Sequence, residues 1–277
     1  MDAHADSLEE FQRRLKHIGA FERKKRGAGV APRRHDRGMT TQLKIMPPPA
    51  GDDAADPMIA LDREGWAVLP GLLDASACDG LAALYDAPAG FRSHIHMARH
   101  GFGRGEYRYF AYPLPPLVEA LRGMLYARLA PIANRWHARM GMDVRFPAEH
   151  GEFLARCHAA GQRRPTPLLL QYGAGDYNCL HQDLYGEHVF PLQVAVLLSA
   201  PGEDFTGGEF VLTEQRPRMQ SRAAVVPLAK GDAVVFAVNA RPVRGSRGDY
   251  RVTMRHGVSA IRSGRRHTLG IIFHDAA

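Results

Sequence analysis

No stretch of the sequence approaches the about 18 consecutive apolar residues that a membrane-spanning helix needs. Cysteine is scarce. Cys78, Cys157 and Cys179 are the full complement of 3, widely separated and with no CxxC. That argues against a disulfide framework or a structural zinc site, and predicts free thiols in a reducing compartment. The opening decapeptide MDAHADSLEE is acidic and lacks an apolar core, so it does not read as a secretory signal. The expectation is a cytoplasmic protein with no membrane partner. Lysine almost vanishes after residue 44: Lys230 is the lone exception among 25 basic residues in 45–277, the other 24 being Arg. No internal repeat is visible.

What is present is a globular composition, 45% hydrophobic over 277 residues, enough for a sizeable core. The net charge of +7 is uneven. Residues 1–44 carry 11 basic against 6 acidic residues, whereas 45–277 carry 25 against 23. A short helix is predicted over residues 7–20, with Ser7 as N-cap and Glu10 three residues on. Arg23-Lys24-Lys25-Arg26, Arg33-Arg34 and Arg37 follow, then the proline-rich PPPAGDDAADP of residues 47–57. Residues 1–56 therefore read as a basic mobile arm and linker, either a solvated extension or an electrostatic arm for a polyanion.

Residues 57–165 read as a helical support region. A buried strand is expected over residues 65–73, followed by a helix capped by Asp74. Leu117, Leu121, Met124, Leu125, Leu129, Ile132, Ala133 and Trp136 then have helical spacing, with a kink expected at Pro131. A further helix is expected over residues 147–160. From Thr166 the texture changes to short β-rich runs separated by Gly- and Asp-containing turns, which is the pattern of a double-sheet jelly roll. The expected fold is α+β: a jelly-roll core over residues 166–277 with the helical region packed on it, so that 57–277 form one structural unit.

His181-Gln182-Asp183 is the central chemical feature. If this segment enters a strand, residues i and i+2 share a face, and one imidazole converges with one carboxylate. Two His and one carboxylate on one face of an octahedron is the non-haem Fe(II) pattern. His256, on a late strand, is the natural third ligand. His150-Gly151-Glu152 is a poor chelate, because i and i+2 diverge by about 200° on a helix. His94-Ile95-His96 precedes the barrel without an obvious carboxylate partner and is a lesser metal candidate. Arg266 lies ten residues after His256 on the last strand. A forked, permanently charged side chain there suits the far carboxylate of a 2-oxo acid.

His-x-Asp, a distant His, and Arg about ten residues later resemble the Fe(II)- and 2-oxoglutarate-dependent dioxygenases. Gly207-Gly208-Glu209-Phe210 and KGDAVVF (230–236) resemble the prolyl-hydroxylase branch of that superfamily. HGFGRGEY (100–107), RPTPLLL (164–170), GDYNCLHQDLYG (175–186), EQRPRMQSR (214–222) and FHDA (273–276) are similar to a bacterial oxygenase family assigned to oxidative demethylation of damaged DNA. The resemblance implies Fe(II), 2-oxoglutarate and O₂. On this reading His181, Asp183 and His256 hold iron, and Arg266 anchors the cosubstrate.

Two positions depart from related patterns. Demethylases of the AlkB type carry a second Arg six residues after the cosubstrate Arg, where this sequence has Ile272. Some prolyl hydroxylases share the cosubstrate carboxylate with a Tyr about sixteen residues after the first His, where this sequence has Leu197. Tyr172, on the strand before His181, is the substitute candidate. For the substrate, Arg241, Arg244, Arg247, Arg251 and Arg255 suggest a positive rim. Arg104 and Tyr107 lie in a stretch, residues 91–116, where Arg and aromatic residues interleave as if for backbone contact and base stacking, unless it is a structured lid. The leading expectation is oxidative demethylation of alkylated DNA or RNA. A protein hydroxylase and a non-catalytic nucleic-acid-binding module are the alternatives.

Overall fold

The strand expected over residues 65–73 forms over Trp66–Leu69, and Asp74 starts the helix expected after it. Its carboxylate accepts the Ala77 N–H at 2.8 Å and caps the helix that follows. The computed structural model describes residues 57–277 other than Pro88. The basic arm, its expected helix over residues 7–20 and the linker lie outside the described residues. Four α-helices are described: α1 (Pro57–Glu64), α2 (Ala75–Ala83), α3 (Pro116–Arg139) and α4 (His150–Ala159). Pro131 lies inside α3, which continues through it.

The strands, in chain order, begin with β1 (Trp66–Leu69), β2 (Phe91–His96), β3 (Gly103–Arg104), β4 (Glu106–Phe110) and β5 (Leu168–Tyr172). Next come β6 (Tyr177–His181), β7 (Leu192–Leu197), β8 (Phe205–Gly207), β9 (Phe210–Gln215) and β10 (Arg222–Val226). The last are β11 (Ala233–Ala237), β12 (Ala240–Gly245), β13 (Gly248–Val258), β14 (Ile261–Gly264) and β15 (Arg266–Ile271). The major sheet has seven strands in the order β1-β11-β7-β15-β5-β4-β2. The minor sheet runs β10-β9-β13-β6-β3, with β12 pairing β13, and β14 pairs β8 separately. All the pairings between these strands are antiparallel, and the two sheets form the jelly roll.

Every residue of β7 and β11 is buried: Ala233–Ala237 is a continuous apolar run, and Leu192–Leu197 is one broken only by Gln193. Ala195, Val234 and Phe236 pack against Phe210, Leu212 and Val226 of the facing sheet. Burial of this kind supplies about 1.5–3 kcal/mol for each large aliphatic or aromatic side chain. Trp136, fully buried on α3, donates Nε1–H to Asp62 of α1 at 2.5 Å.

Residues 57–165 contribute more than helices. β1 joins the major sheet through β11, and β2 and β4 extend it beyond β5. In residues 91–116 the interleaving of basic and aromatic residues is the two-faced alternation of strands β2 and β4, not a separate lid. The C-terminus is held by a buried network. Arg122 donates to Asp275 at 2.8 Å and to the Ile272 carbonyl at 2.8 Å, and Asp275 also faces His158 at 2.8 Å.

Candidate metal centre and cosubstrate pocket

β6 and β13 are antiparallel neighbours, and their register places His181 directly opposite His256. The imidazole rings sit 4.2 Å apart, centroid to centroid. Asp183 lies two residues past the end of β6 and turns its carboxylate between them. His181 Nε2 is 3.5 Å from Asp183 Oδ1, and His256 Nε2 is 3.4 Å from Asp183 Oδ2. The three donor atoms lie within 4.8 Å of one another. The pairing of β13 with β6 shifts register between His256 and Val258. Such irregularities re-aim side chains. Gly257 allows it, since a Cβ there would stand 2.7 Å from the Asn178 carbonyl oxygen.

Neighbouring groups orient these three residues. His181 Nδ1 faces the Cys179 carbonyl at 2.8 Å, which favours the tautomer with a free Nε2 lone pair. Tyr185 donates its hydroxyl to Asp183 Oδ1 at 2.7 Å. Gln182 donates to Asn239 Oδ1 at 3.0 Å and to the Met254 carbonyl at 2.8 Å, pinning the segment to the partner strand. Neither Tyr185 nor Gln182 carried a role in the sequence reading. Each becomes visible only when the chain is folded back on Asp183 or β13.

The electrostatics favour an ion. Burial pushes the Asp183 carboxyl up, but hydrogen bonding and charge from His256, then His181, and the Tyr185 hydroxyl outweigh it and hold it below the usual carboxylate range. Burial pulls the His256 imidazole down despite the Asp183 contact, which favours the neutral, ligating form. A carboxylate and two imidazoles converging on one point fit a divalent ion of the Fe(II) type.

The three residues line a cavity of about 310 Å³ between the sheets, and Tyr172 and Arg266 line it too. Arg266 is paired with Tyr172 across β15 and β5. Its guanidinium is 1% exposed, lies 5.7 Å from the Tyr172 ring centre, and donates to Thr268 Oγ1. Its Nε has no partner, and no carboxylate of the described residues pairs with it. Burial lowers it to about 10, so it remains charged at neutral pH. An isolated buried cation is costly, and a bound carboxylate answers it. Tyr172, fully buried, accepts from Asn178 Nδ2 at 3.4 Å.

The other sequence candidates separate. Tyr107 lines the cavity together with Tyr109. Arg104 is exposed on β3, beside Gly101 and Phe102 at the mouth. Arg244 and Arg247 are not brought to the cavity. They sit at the tip of the β12–β13 hairpin, and Arg247 is nine residues from His256, on the order of 30 Å of extended chain. Arg241 is also absent from the expected rim, being buried against Glu214. Leu197 packs in the core beside Tyr172, and Ile272 packs with Tyr109 and Leu168. His150 lies in α4 and faces the Phe273 carbonyl at 2.8 Å. His94 and His96 do have a carboxylate partner, Glu106, which strand pairing supplies from β4.

Residues 105–276 match the model of the Oxygenase-NA family, described as "Oxygenase, catalysing oxidative methylation of damaged DNA". This chain belongs to that oxygenase family. It is an oxidoreductase, which counts against the non-catalytic binding module. An uncharacterized protein of Mycobacterium tuberculosis, found in two strains, is 54% identical over 168 residues, covering 61% of this chain and 72% of the relative. A prolyl hydroxylase of Trichoplax adhaerens, solved with a hypoxia inducible factor oxygen degradation domain peptide fragment, aligns with a TM-score of 0.50 at 14% identity. The alignment covers 78% of this chain and 86% of that one, and shows a shared jelly-roll fold. A 2OG-Fe(II) oxygenase family oxidoreductase of Burkholderia pseudomallei aligns with a TM-score of 0.48 at 18% identity, over 84% and 96% of the two chains. Among the described residues, no helix is long and apolar enough to cross a membrane.

Proposed function

We propose that this family member is a 2-oxoglutarate- and Fe(II)-dependent dioxygenase that removes methyl groups oxidatively from alkylated DNA or RNA. The observation that carries the chemistry is one cavity holding both a His₂Asp donor set and a buried, unpaired guanidinium. His181, Asp183 and His256 would hold Fe(II). Iron held there, with 2-oxoglutarate and O₂, supplies the oxidising power for C–H hydroxylation, with succinate and CO₂ as co-products. Arg266 would bind the distal carboxylate, with Tyr172 beside it. Tyr185 holds one Asp183 oxygen, leaving the other free to ligate. The apolar walls from Phe210, Phe236 and Val258 keep bulk water from the reacting centre.

Such a centre oxidises a methyl group and does not donate one. A hydroxylated N-methyl breaks its C–N bond, releasing formaldehyde and returning the proton to the base nitrogen. The family description supports nucleic acid as the substrate, and Phe102, Tyr107 and Tyr109 offer faces on which a base can stack. Free Cys78, Cys157 and Cys179 suit a cytoplasmic setting. A protein substrate is the second reading, favoured by exposed apolar Phe102 and Leu180 at the mouth. The deciding experiment presents methylated oligonucleotides and proline-containing peptides to the iron-loaded protein. Formaldehyde released in step with succinate supports the first reading. A peptide gaining 16 Da with no formaldehyde overturns it.

A further inference from the structure

A second set of two imidazoles and a carboxylate stands on the other side of the major sheet. His94 and His96 are two apart on β2 and share a face, and Glu106 on β4 is the cross-strand partner of His96. His94 Nε2 is 2.8 Å from Glu106 Oε2, and His96 Nδ1 is 3.2 Å from Glu106 Oε1. Each imidazole therefore faces its own carboxylate oxygen, with the rings 4.5 Å apart. The same division of one carboxylate between two imidazoles occurs at Asp183, at 3.5 and 3.4 Å. In both triplets the donor atoms lie within 4.8 Å of one another. A small closure brings them to the bond lengths of about 2.0–2.2 Å that zinc makes to nitrogen and oxygen.

Strand alternation fixes the face. Glu106 pairs with Gln171, and Gln171 with His267, in one row across β4, β5 and β15. Their chain neighbours Tyr107, Tyr172 and Arg266 line the cavity, so this row points away from it. Among the described residues, the ion-pair partners of Glu106 are the two imidazoles, and no Arg or Lys occupies it. Tyr85 donates its hydroxyl to Glu106 Oε2 at 3.5 Å, which orients the carboxylate from outside the triplet. The His94, His96 and Glu106 side chains are 34%, 39% and 39% exposed, open enough for an ion to enter and keep water as its remaining ligand.

We propose that His94, His96 and Glu106 form a second metal site, for a divalent ion of the zinc type. Imidazole donors favour such an ion over Mg²⁺ or Ca²⁺, which take all-oxygen shells. The ion ties edge strand β2 to β4 directly behind the tyrosines of the cavity. The site stands independently of what the first centre does.

The test counts zinc on the full-length chain, stripped with chelator and dialysed against micromolar free Zn(II). The double variant His94→Ala/His96→Ala should hold one ion fewer per chain than wild type. His181→Ala/Asp183→Ala should also lose one, and the combined variant two. Glu106→Gln keeps the shape of the site and both imidazoles, so it serves if the double variant fails to fold. It should weaken binding of one ion at least tenfold with an unchanged circular dichroism spectrum. A count unaltered in the His94/His96 variant, or a zinc affinity unaltered in Glu106→Gln by competition titration, overturns the site and leaves the triplet as a hydrogen-bonded cluster.

Discussion

Arg266 combines full burial with a fixed positive charge and no carboxylate partner among the described residues. Replacing it with Ala removes a charge-assisted pair with the bound acid. The apparent KM for 2-oxoglutarate should rise roughly 10- to 100-fold, the equivalent of a hydrogen bond to a charged group. Iron affinity should stay within a factor of a few, and Arg265→Ala should leave KM unchanged, because Arg265 is exposed before β15. Steady-state succinate assays on the two variants read this directly. At the proposed metal ligands, His181→Ala, Asp183→Ala and His256→Ala should each abolish succinate formation and leave a folded chain. Tyr185→Phe removes the hydroxyl held by Asp183. Metal affinity should fall about 10- to 100-fold, as when other outer hydrogen-bond partners of ligands are lost. A competition titration with a chromophoric chelator measures it, and an unchanged affinity would show that β6 alone orients Asp183.

Among the elements, α3, α4 and the C-terminal segment share the buried Arg122–Asp275 pair. Burial pushes the Asp275 carboxyl up, but the Arg122 guanidinium, with His158 and Tyr112, holds it below the usual range. Its folded pKa therefore lies below the unfolded value of about 3.9. The stabilisation is complete above that value and is lost as pH falls through the depressed one. Asp275→Asn breaks a buried pair and should destabilise by about 3–5 kcal/mol, lowering Tm by about 10 °C at neutral pH. The gap between variant and wild type should narrow as pH drops from about 4 towards the depressed folded value, because the unfolded carboxyl takes up its proton first. Thermal melts across pH 3–7 check both parts. The strands β12 and β13 show how an element can misplace residues that look adjacent in sequence. Arg244 and Arg247 precede His256 closely along the chain, yet an extended hairpin carries them to its far tip. Charge reversal there should leave substrate-free 2-oxoglutarate turnover unchanged.

For the whole molecule, the charge distribution sets the expectation for the substrate. Most of the +7 resides in residues 1–44. If nucleic acid is the partner, deleting residues 1–46 should weaken oligonucleotide binding and flatten its dependence on salt, since fewer counterions are released. Affinity measured against salt concentration for the intact and shortened chains reads the slope. Absence of binding by the intact chain at about 50 mM salt would transfer the assignment to a protein substrate.

The sequence alone determined what is local. Asp74 capped its helix because an N-cap acts over three residues, and β7 and β11 were legible as short runs that are apolar but for Gln193. That His181, Asp183, His256 and Arg266 would come together was legible from the motif the sequence resembles, and they do line one cavity. Strands β2 and β4 were not, because their charged and aromatic residues alternate across two faces and resemble a surface loop when read in one dimension. Tertiary structure decided which residues meet. It brought Glu106 to His94 and His96 and Tyr185 to Asp183, and it buried Arg241 against Glu214. These are contacts of register and sheet closure. Hydrogen bonding between distant strands fixes them, and no spacing along the chain encodes them.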